Sequence, residues 1–305
     1  MSDHRSQRVD VSNWEVVNTE AGGADAKSWL SDDEGSRWLY KPVTIKNGNR
    51  QGEDWAEKVS SLLGLGLGVP CAQVELAVRG GVEGSISLKL TPEDYDMHPG
   101  FLAMEVHGVV GYVRGNTPGR PGHSIRNIFA VLESYGTPPG STFPSHFQAK
   151  DVLCGYLLLD AWIANRDRHD ENWSILQPRK PGMSYRLSGS YDHAGSLGFN
   201  LTDKKRTGYS SGAAGNVQDW AKRGTAWRFE HVLGAPIQSL TALAADALSL
   251  VSKETKDFWI TRLHEIDLEN TRAVVEQCGG MSDAASTFAI DLLTTNLERL
   301  RDECI

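Results

Sequence analysis

Between Val152 and Ile163 the chain runs through twelve almost wholly apolar residues, VLCGYLLLDAWI, and then breaks into Asn165-Arg166-Asp167-Arg168-His169. A run of this length with one charge reads as a helix buried on all sides, so the polar residues behind it are anchored on a core. Asn172 follows Asp167 by five positions, and Asp192 lies twenty positions later in the turn Tyr191-Asp192-His193-Ala194-Gly195. An Asp, an Asn five positions on, and a second Asp in a glycine-ended turn is an order that serves phosphoryl transfer. The first Asp orients the attacking hydroxyl, while the Asn and the second Asp hold Mg²⁺ on nucleotide phosphates.

At 305 residues the chain is long enough for a substantial core and two lobes sharing a cleft. A formal net charge of −8 argues against a nucleic-acid surface, and no apolar run approaches the ~20 residues that span a bilayer. The N-terminus, MSDHRSQRVDVSNWE, has no apolar core that would make it a signal peptide. Cys71, Cys154, Cys278 and Cys304 stand far apart in no Cys-x-x-Cys pairing, which fits reduced thiols in a cytoplasmic protein.

Along the first ninety residues the pattern is strand, glycine turn, strand, hairpin turn, strand, helix and two further strands. Trp14 to Val17 opens it, and Gly22-Gly23-Ala24 precedes Lys27 and Trp29-Leu30. Asp32 to Ser36 forms the hairpin turn and Arg37 to Val43 the next strand. A Gly-Gly pair between strands is most often only a turn, yet glycines also let backbone amides approach phosphate oxygens, with Lys27 adding charge. Lys41 inside the apolar strand Leu39-Tyr40-Lys41-Pro42-Val43 would by itself be read as snorkelling outward; in a phosphate-binding lobe it is the candidate contact to the α/β-phosphates. The helix Glu53 to Leu63 follows, with Gly64 as its expected stop. Glu53 or Glu57 could face the sheet and pair with Lys41; each could equally be a solvated acid near a helix N-terminus.

We place the N-lobe over 1–105, with Phe101 to Val106 as the inter-lobe connector, and the C-lobe over 106–305. The fold expected is α+β and bilobal, protein-kinase-like, with a small β-rich N-lobe and a larger α-helical C-lobe. In the second lobe a hairpin is expected from Ser174–Gln177 and Tyr185–Ser188, a mobile surface loop over 199–224, and helices from Gln238 to Glu303. An Asp-Arg-His behind a helix is in many chains a hydrogen-bonded turn. The second Asp, the strand lysine and the lobe order together favour the catalytic reading of Asp167. His169 and His193 are expected to support their turns, and Arg166 and Arg168 to pair with nearby acids.

The order Gly-Gly-Ala-x-x-Lys at 22–27, Leu-Tyr-Lys-Pro at 39–42, Gly52-Glu53 with Gly64-Leu65, Asp-Arg-His-x-x-Asn at 167–172 and Tyr-Asp-His-Ala-Gly-Ser at 191–196 resembles the HipA-like kinases. These are bacterial serine/threonine protein kinases, related in fold to phosphatidylinositol kinases and often toxins of toxin–antitoxin systems. The resemblance spans roughly residues 15 to 300. It implies ATP and Mg²⁺ as cofactors, Asp167 as catalytic base, Asn172 and Asp192 as metal ligands, Lys41 as the phosphate-contacting lysine and Glu53, by its spacing to Gly64, as the partner of Lys41. It also implies a protein substrate and an antitoxin partner. Two departures stand out. The chain begins barely twenty residues before its glycine loop, so a stand-alone core without the family's additional N-terminal subdomain is expected. Thr19-Glu20 occupy the place where several relatives carry a regulatory serine. A small-molecule or lipid kinase on the same scaffold, and a non-catalytic pseudokinase, are the alternatives; the presence of Lys41, Asp167, Asn172 and Asp192 weighs against the latter.

Overall fold

The computed structural model describes residues 6–20 and 27–304. The glycine loop Gly22-Gly23-Ala24 therefore lies outside the described residues. Strands β1 (Val9–Asp10), β2 (Glu15–Glu20), β3 (Lys27–Ser31) and β4 (Arg37–Pro42) precede a small hairpin, β5 (Ile45–Lys46) and β6 (Asn49–Arg50). Helix α1 (Glu53–Leu67) follows, then β7 (Val74–Arg79) and β8 (Val82–Leu88). The main sheet has the order β1-β7-β8-β4-β3-β2, parallel between β1 and β7 and antiparallel elsewhere. Its two faces follow the period of two along each strand. Trp38 and Tyr40 of β4 join Val11, Leu30, Ala77 and Ile86 in a small outer core, so Leu39 and Lys41 point to the opposite face. There α1 packs on β7 and β8.

Helix α1 does not end at Gly64, as its sequence suggests. Gly64 lies inside it, because a Cβ there would stand 2.4 Å from Cys71 Sγ and 2.9 Å from Leu159 Cδ2. The helix stops at Gly68, whose φ of 90° gives the left-handed cap that glycine adopts without strain.

The chain leaves the main sheet after Leu88, and β9 (Tyr95–Pro99) already pairs antiparallel with β10 (Ser174–Pro178) of the second lobe. Residues 101–106, expected to connect the lobes, lie in helix α2 (Gly100–Val106). Helices α3 (Ile125–Leu132) and α4 (Ala149–Ile163) come next, then β10 and β11 (Arg186–Leu187), which form the expected hairpin. Helix α4 is buried along its whole length apart from Lys150. It starts from a Gln148/Asp151 capping box and ends at Ala164, with φ of 56°. One continuous core runs from Trp55, Val59 and Leu63 of α1 through α4 into the C-terminal helices.

The segment 199–224 is not a bare loop. It carries α5 (Asp203–Ser210) and α6 (Val217–Ala221). Its apolar residues are few but well placed: Tyr209, Val217 and Trp220 pack with Phe288 and Leu292. Arg206 adds hydrogen bonds at 3.1 Å to the carbonyls of Gly198 and Phe199. Helices α7 (Leu240–Ser249), α8 (Lys253–His264), α9 (Leu268–Glu276) and α10 (Asp283–Cys304) complete the second lobe. The bilobal α+β architecture anticipated from sequence is the one observed.

Candidate active site

The polar knot behind α4 is built on Asp160, which is buried within the helix's last turn. Its carboxylate accepts from Asn165 Nδ2 at 2.8 Å, Arg168 Nε at 2.7 Å and Arg168 NH2 at 2.8 Å. Arg168 also donates to Asn172 O at 2.6 Å and to Ser190 Oγ at 3.0 Å. One buried guanidinium thus ties the end of α4, the Asp167–Asn172 loop and the Asp192 turn into a single unit. A forked donor suits this role, since a buried charge is tolerated only when nearly every donor is used.

Within that frame, Asn172 Nδ2 donates to Asp167 O at 2.7 Å, and Asp167 N donates to Asn165 Oδ1 at 3.1 Å. The first bond orients the Asn172 amide and leaves its Oδ1 as the acceptor end. His169 Nδ1 accepts from Glu171 N at 3.1 Å, the turn-supporting role expected of it.

Asp192 is brought to the same place from the other side. Its backbone is left-handed, with φ of 60°. Ser190, two residues earlier, is stitched to the first lobe by Ser190 N to Pro70 O at 2.7 Å and Ala72 N to Ser190 O at 2.9 Å. Lys41 Nζ lies 2.7 Å from Asp192 Oδ1. Burial works against both charges, and each offsets it for the other: Asp192, with Glu57, holds the Lys41 ammonium well above its usual range. Lys41, with Lys27, holds the Asp192 carboxyl well below the ordinary carboxylate range. Lys27, at the start of β3, thereby joins the field of the site.

Glu53 is placed elsewhere. Its Oε2 accepts from Thr44 N at 2.7 Å and closes the turn after β4. The acid beside Lys41 is Glu57, one turn further along α1 and 1% exposed. Burial opposes its ionisation, but His193 and Lys41 outweigh this and keep its carboxyl below the usual range. His193 Nδ1 stands 3.5 Å from Glu57 Oε1, long for a hydrogen bond, while His193 Nε2 lies 2.7 Å from Ser190 Oγ. Glu57 Oε2 has no hydrogen-bond partner.

One residue gave no signal in the sequence. Arg228, between α6 and α7, places Nε and NH2 each 2.6 Å from Asp167 Oδ1. Beside the Asp167 carboxylate lies a cavity of about 320 Å³ whose walls include Ala164, Phe199, Trp220 and Trp227.

Asn172 and Asp192 offer the hard oxygen donors that Mg²⁺ takes, and Asp192 is held ionised. That donor chemistry suits Mg²⁺.

No protein-family model matches the chain, and no match was found among curated proteins. Solved structures do match in fold. The Helicobacter pylori proinflammatory kinase CtkA superposes with a TM-score of 0.71 at 14% identity, over 98% of this chain and 99% of that one. HipA from Shewanella oneidensis MR-1, solved as part of a toxin–antitoxin complex with HipB and operator DNA, gives 0.56 at 13% identity, over 95% of this chain and 68% of that one. The chain has the bilobal fold of HipA-like kinases.

Proposed function

We propose that this chain is an ATP- and Mg²⁺-dependent phosphotransferase acting on a serine or threonine hydroxyl of a protein. The observation that carries the reading is the convergence of Lys41, Asp167, Asn172 and Asp192. Lys41 Nζ sits 2.7 Å from Asp192 Oδ1 across 151 positions of chain, and Asn172 donates to the Asp167 backbone.

Asn172 and Asp192 would hold the metal, which when bound neutralises charge on the β- and γ-phosphates. Lys41 is positioned to leave Asp192 for a phosphate oxygen, with Glu57 behind it to keep it in place. Lys27 adds positive charge, and the Gly22-Gly23-Ala24 loop and Lys27 are proposed to cover the phosphates. The acceptor hydroxyl approaches along the cavity beside Asp167. Its oxygen bonds to the γ-phosphorus, the bond to the ADP oxygen breaks, and the hydroxyl proton passes to Asp167. Catalysis of this kind rests on positioning and electrostatics.

A toxin role with a separately encoded antitoxin partner rests on the likeness to HipA alone, and growth arrest on expression tests it. The four cysteines are free thiols, which supports a cytoplasmic setting, and no helix among the described residues is long and apolar enough to cross a membrane. The deciding experiment is incubation with γ-labelled ATP and Mg²⁺, alone and with cell lysate, beside Asp167→Ala. Label on the protein itself or on a discrete lysate band, lost in the variant, is the expected result. ATP consumption without protein label would move the acceptor to a small molecule or lipid, and ATP binding without consumption would leave a pseudokinase.

A further inference from the structure

Asp167 is half-exposed and sits in a loop, yet its carboxylate is not free to turn. Arg228 engages a single oxygen, Oδ1, through both Nε and NH2 at 2.6 Å. His169 Nε2 lies 3.9 Å from Oδ2, beyond hydrogen-bond range. One oxygen is thus clamped, while the carboxylate as a whole stays 41% exposed on the wall of the cavity.

Arg228 is itself held from three sides. Its guanidinium carbon stacks 3.9 Å from the ring centroid of Trp227. Its NH1 donates to Asn116 Oδ1 at 3.1 Å. Its carbonyl lies 2.8 Å from His123 Nδ1, and His123 Nε2 accepts from Trp173 Nε1 at 3.2 Å. Indole N–H can only donate, so His123 is the Nδ1–H tautomer and donates to Arg228 O. His123 is buried, and Phe229 stacks on it at 5.1 Å. The closed path Asn172–Trp173–His123–Arg228–Asp167 therefore fixes Arg228 to the same loop that carries the metal-binding amide. Such support is what a group needs if it is to hold another within a fraction of an ångström.

Resting on the kinase reading above, we infer that Arg228 is the positioning residue of the reaction. By clamping Asp167 Oδ1 it holds Oδ2 towards the acceptor hydroxyl, whose proton Oδ2 receives as the oxygen attacks the γ-phosphorus. A displaced base of this kind can slow transfer about 100-fold without touching substrate binding. Loss of Arg228 should therefore act on turnover and leave nucleotide affinity in place.

The test measures γ-labelled ATP·Mg²⁺ consumption and self-labelling for the full chain, Arg228→Ala, Arg228→Met and Arg228→Lys, together with ATP·Mg²⁺ affinity and melting temperature. Arg228→Met keeps an alkyl stem on Trp227 in case the alanine variant folds poorly. We expect kcat to fall about 10- to 100-fold in the Ala and Met variants. KM for ATP should stay within about twofold, and lysine should restore part of the loss. Guanidinium chloride at low millimolar concentration should raise the rate of Arg228→Ala by seating between Trp227, Asn116 and Asp167, a rescue that a purely structural role would not show. Unchanged kcat in the variants overturns the inference and leaves the kinase reading intact. So does a loss matched by weaker ATP binding or by unfolding in both the Ala and Met variants. Absence of ATP consumption by the unaltered protein overturns the kinase reading, and this inference with it.

Discussion

Lys41 Nζ and Asp192 Oδ1 stand 2.7 Å apart, joining an inner strand of the first lobe to a turn of the second across 151 residues. Each charge is stabilised mainly by the other, so the pair is one of the ties between the two lobes. Asp192→Ala and Asp167→Ala should each abolish transfer while circular dichroism and melting show a retained fold. Lys41→Met should lower kcat/KM for ATP by about 100-fold or more, given that pre-organised charge of this kind contributes several kcal/mol. Measurable turnover in both aspartate variants would sink the assignment.

The two glutamates of α1 separate cleanly. Glu57 is buried beside Lys41 and His193, whereas Glu53 closes the Thr44 turn. Glu57→Gln should reduce turnover at least about tenfold by removing the buried negative charge that acts on Lys41. Glu53→Gln should leave turnover near that of the unaltered protein and cost about 1 kcal/mol of stability or less. Steady-state kinetics and urea melts of the two variants decide it; the reverse ranking would restore Glu53 as the partner of Lys41.

The Asp160–Arg168 pair is nearly inaccessible, with 2% and 3% side-chain exposure. Removing one partner leaves the other buried and unpaired, so Arg168→Met should destabilise the fold by about 3–5 kcal/mol. Denaturant unfolding measures this directly. A loss under 1 kcal/mol would mean that the carboxylate recovers its partners by relaxation.

His123 is kept neutral by burial, which pushes its pKa down to about 4 from an ordinary 6.5. The unfolded chain therefore binds the proton more readily than the folded one. The contribution of His123 is full above pH 6.5 and is lost as pH falls towards 4, on the order of 2 kcal/mol by pH 5. Comparing melts at pH 7 and pH 5 for the unaltered protein and His123→Gln should show a smaller decline in the variant. An identical decline would mean that His123 titrates normally.

The residues of this site differ in how they could be found. Asp167, Asn172 and Asp192 sit in local spacings that only a few chemistries use, and Lys41 stands out as a charge within an apolar strand. Glu53 and Glu57 lie one turn apart on the same helix, and only the docking of α1 on the sheet distinguishes them. Gly64 looks like a helix stop until Cys71 and Leu159 are seen against it, because a close contact suppresses a side chain as effectively as a turn requires its absence. The 199–224 segment is poor in apolar residues, but composition does not show that three of them meet Phe288 and Leu292 on α10.

From sequence alone follow the bilobal α+β architecture, the buried helix under the polar loop and the proposal of Lys41, Asp167, Asn172 and Asp192 as one site. Those features are written in periodicity and short spacings, which local backbone geometry reads. The choice of Glu57, the Ser190–His193 link and the grip of Arg228 on Asp167 were decided by the tertiary structure. Arg228 lies 61 positions from Asp167. Contacts between segments so far apart depend on how helices and turns pack as rigid bodies, a relation that no local pattern of residues encodes.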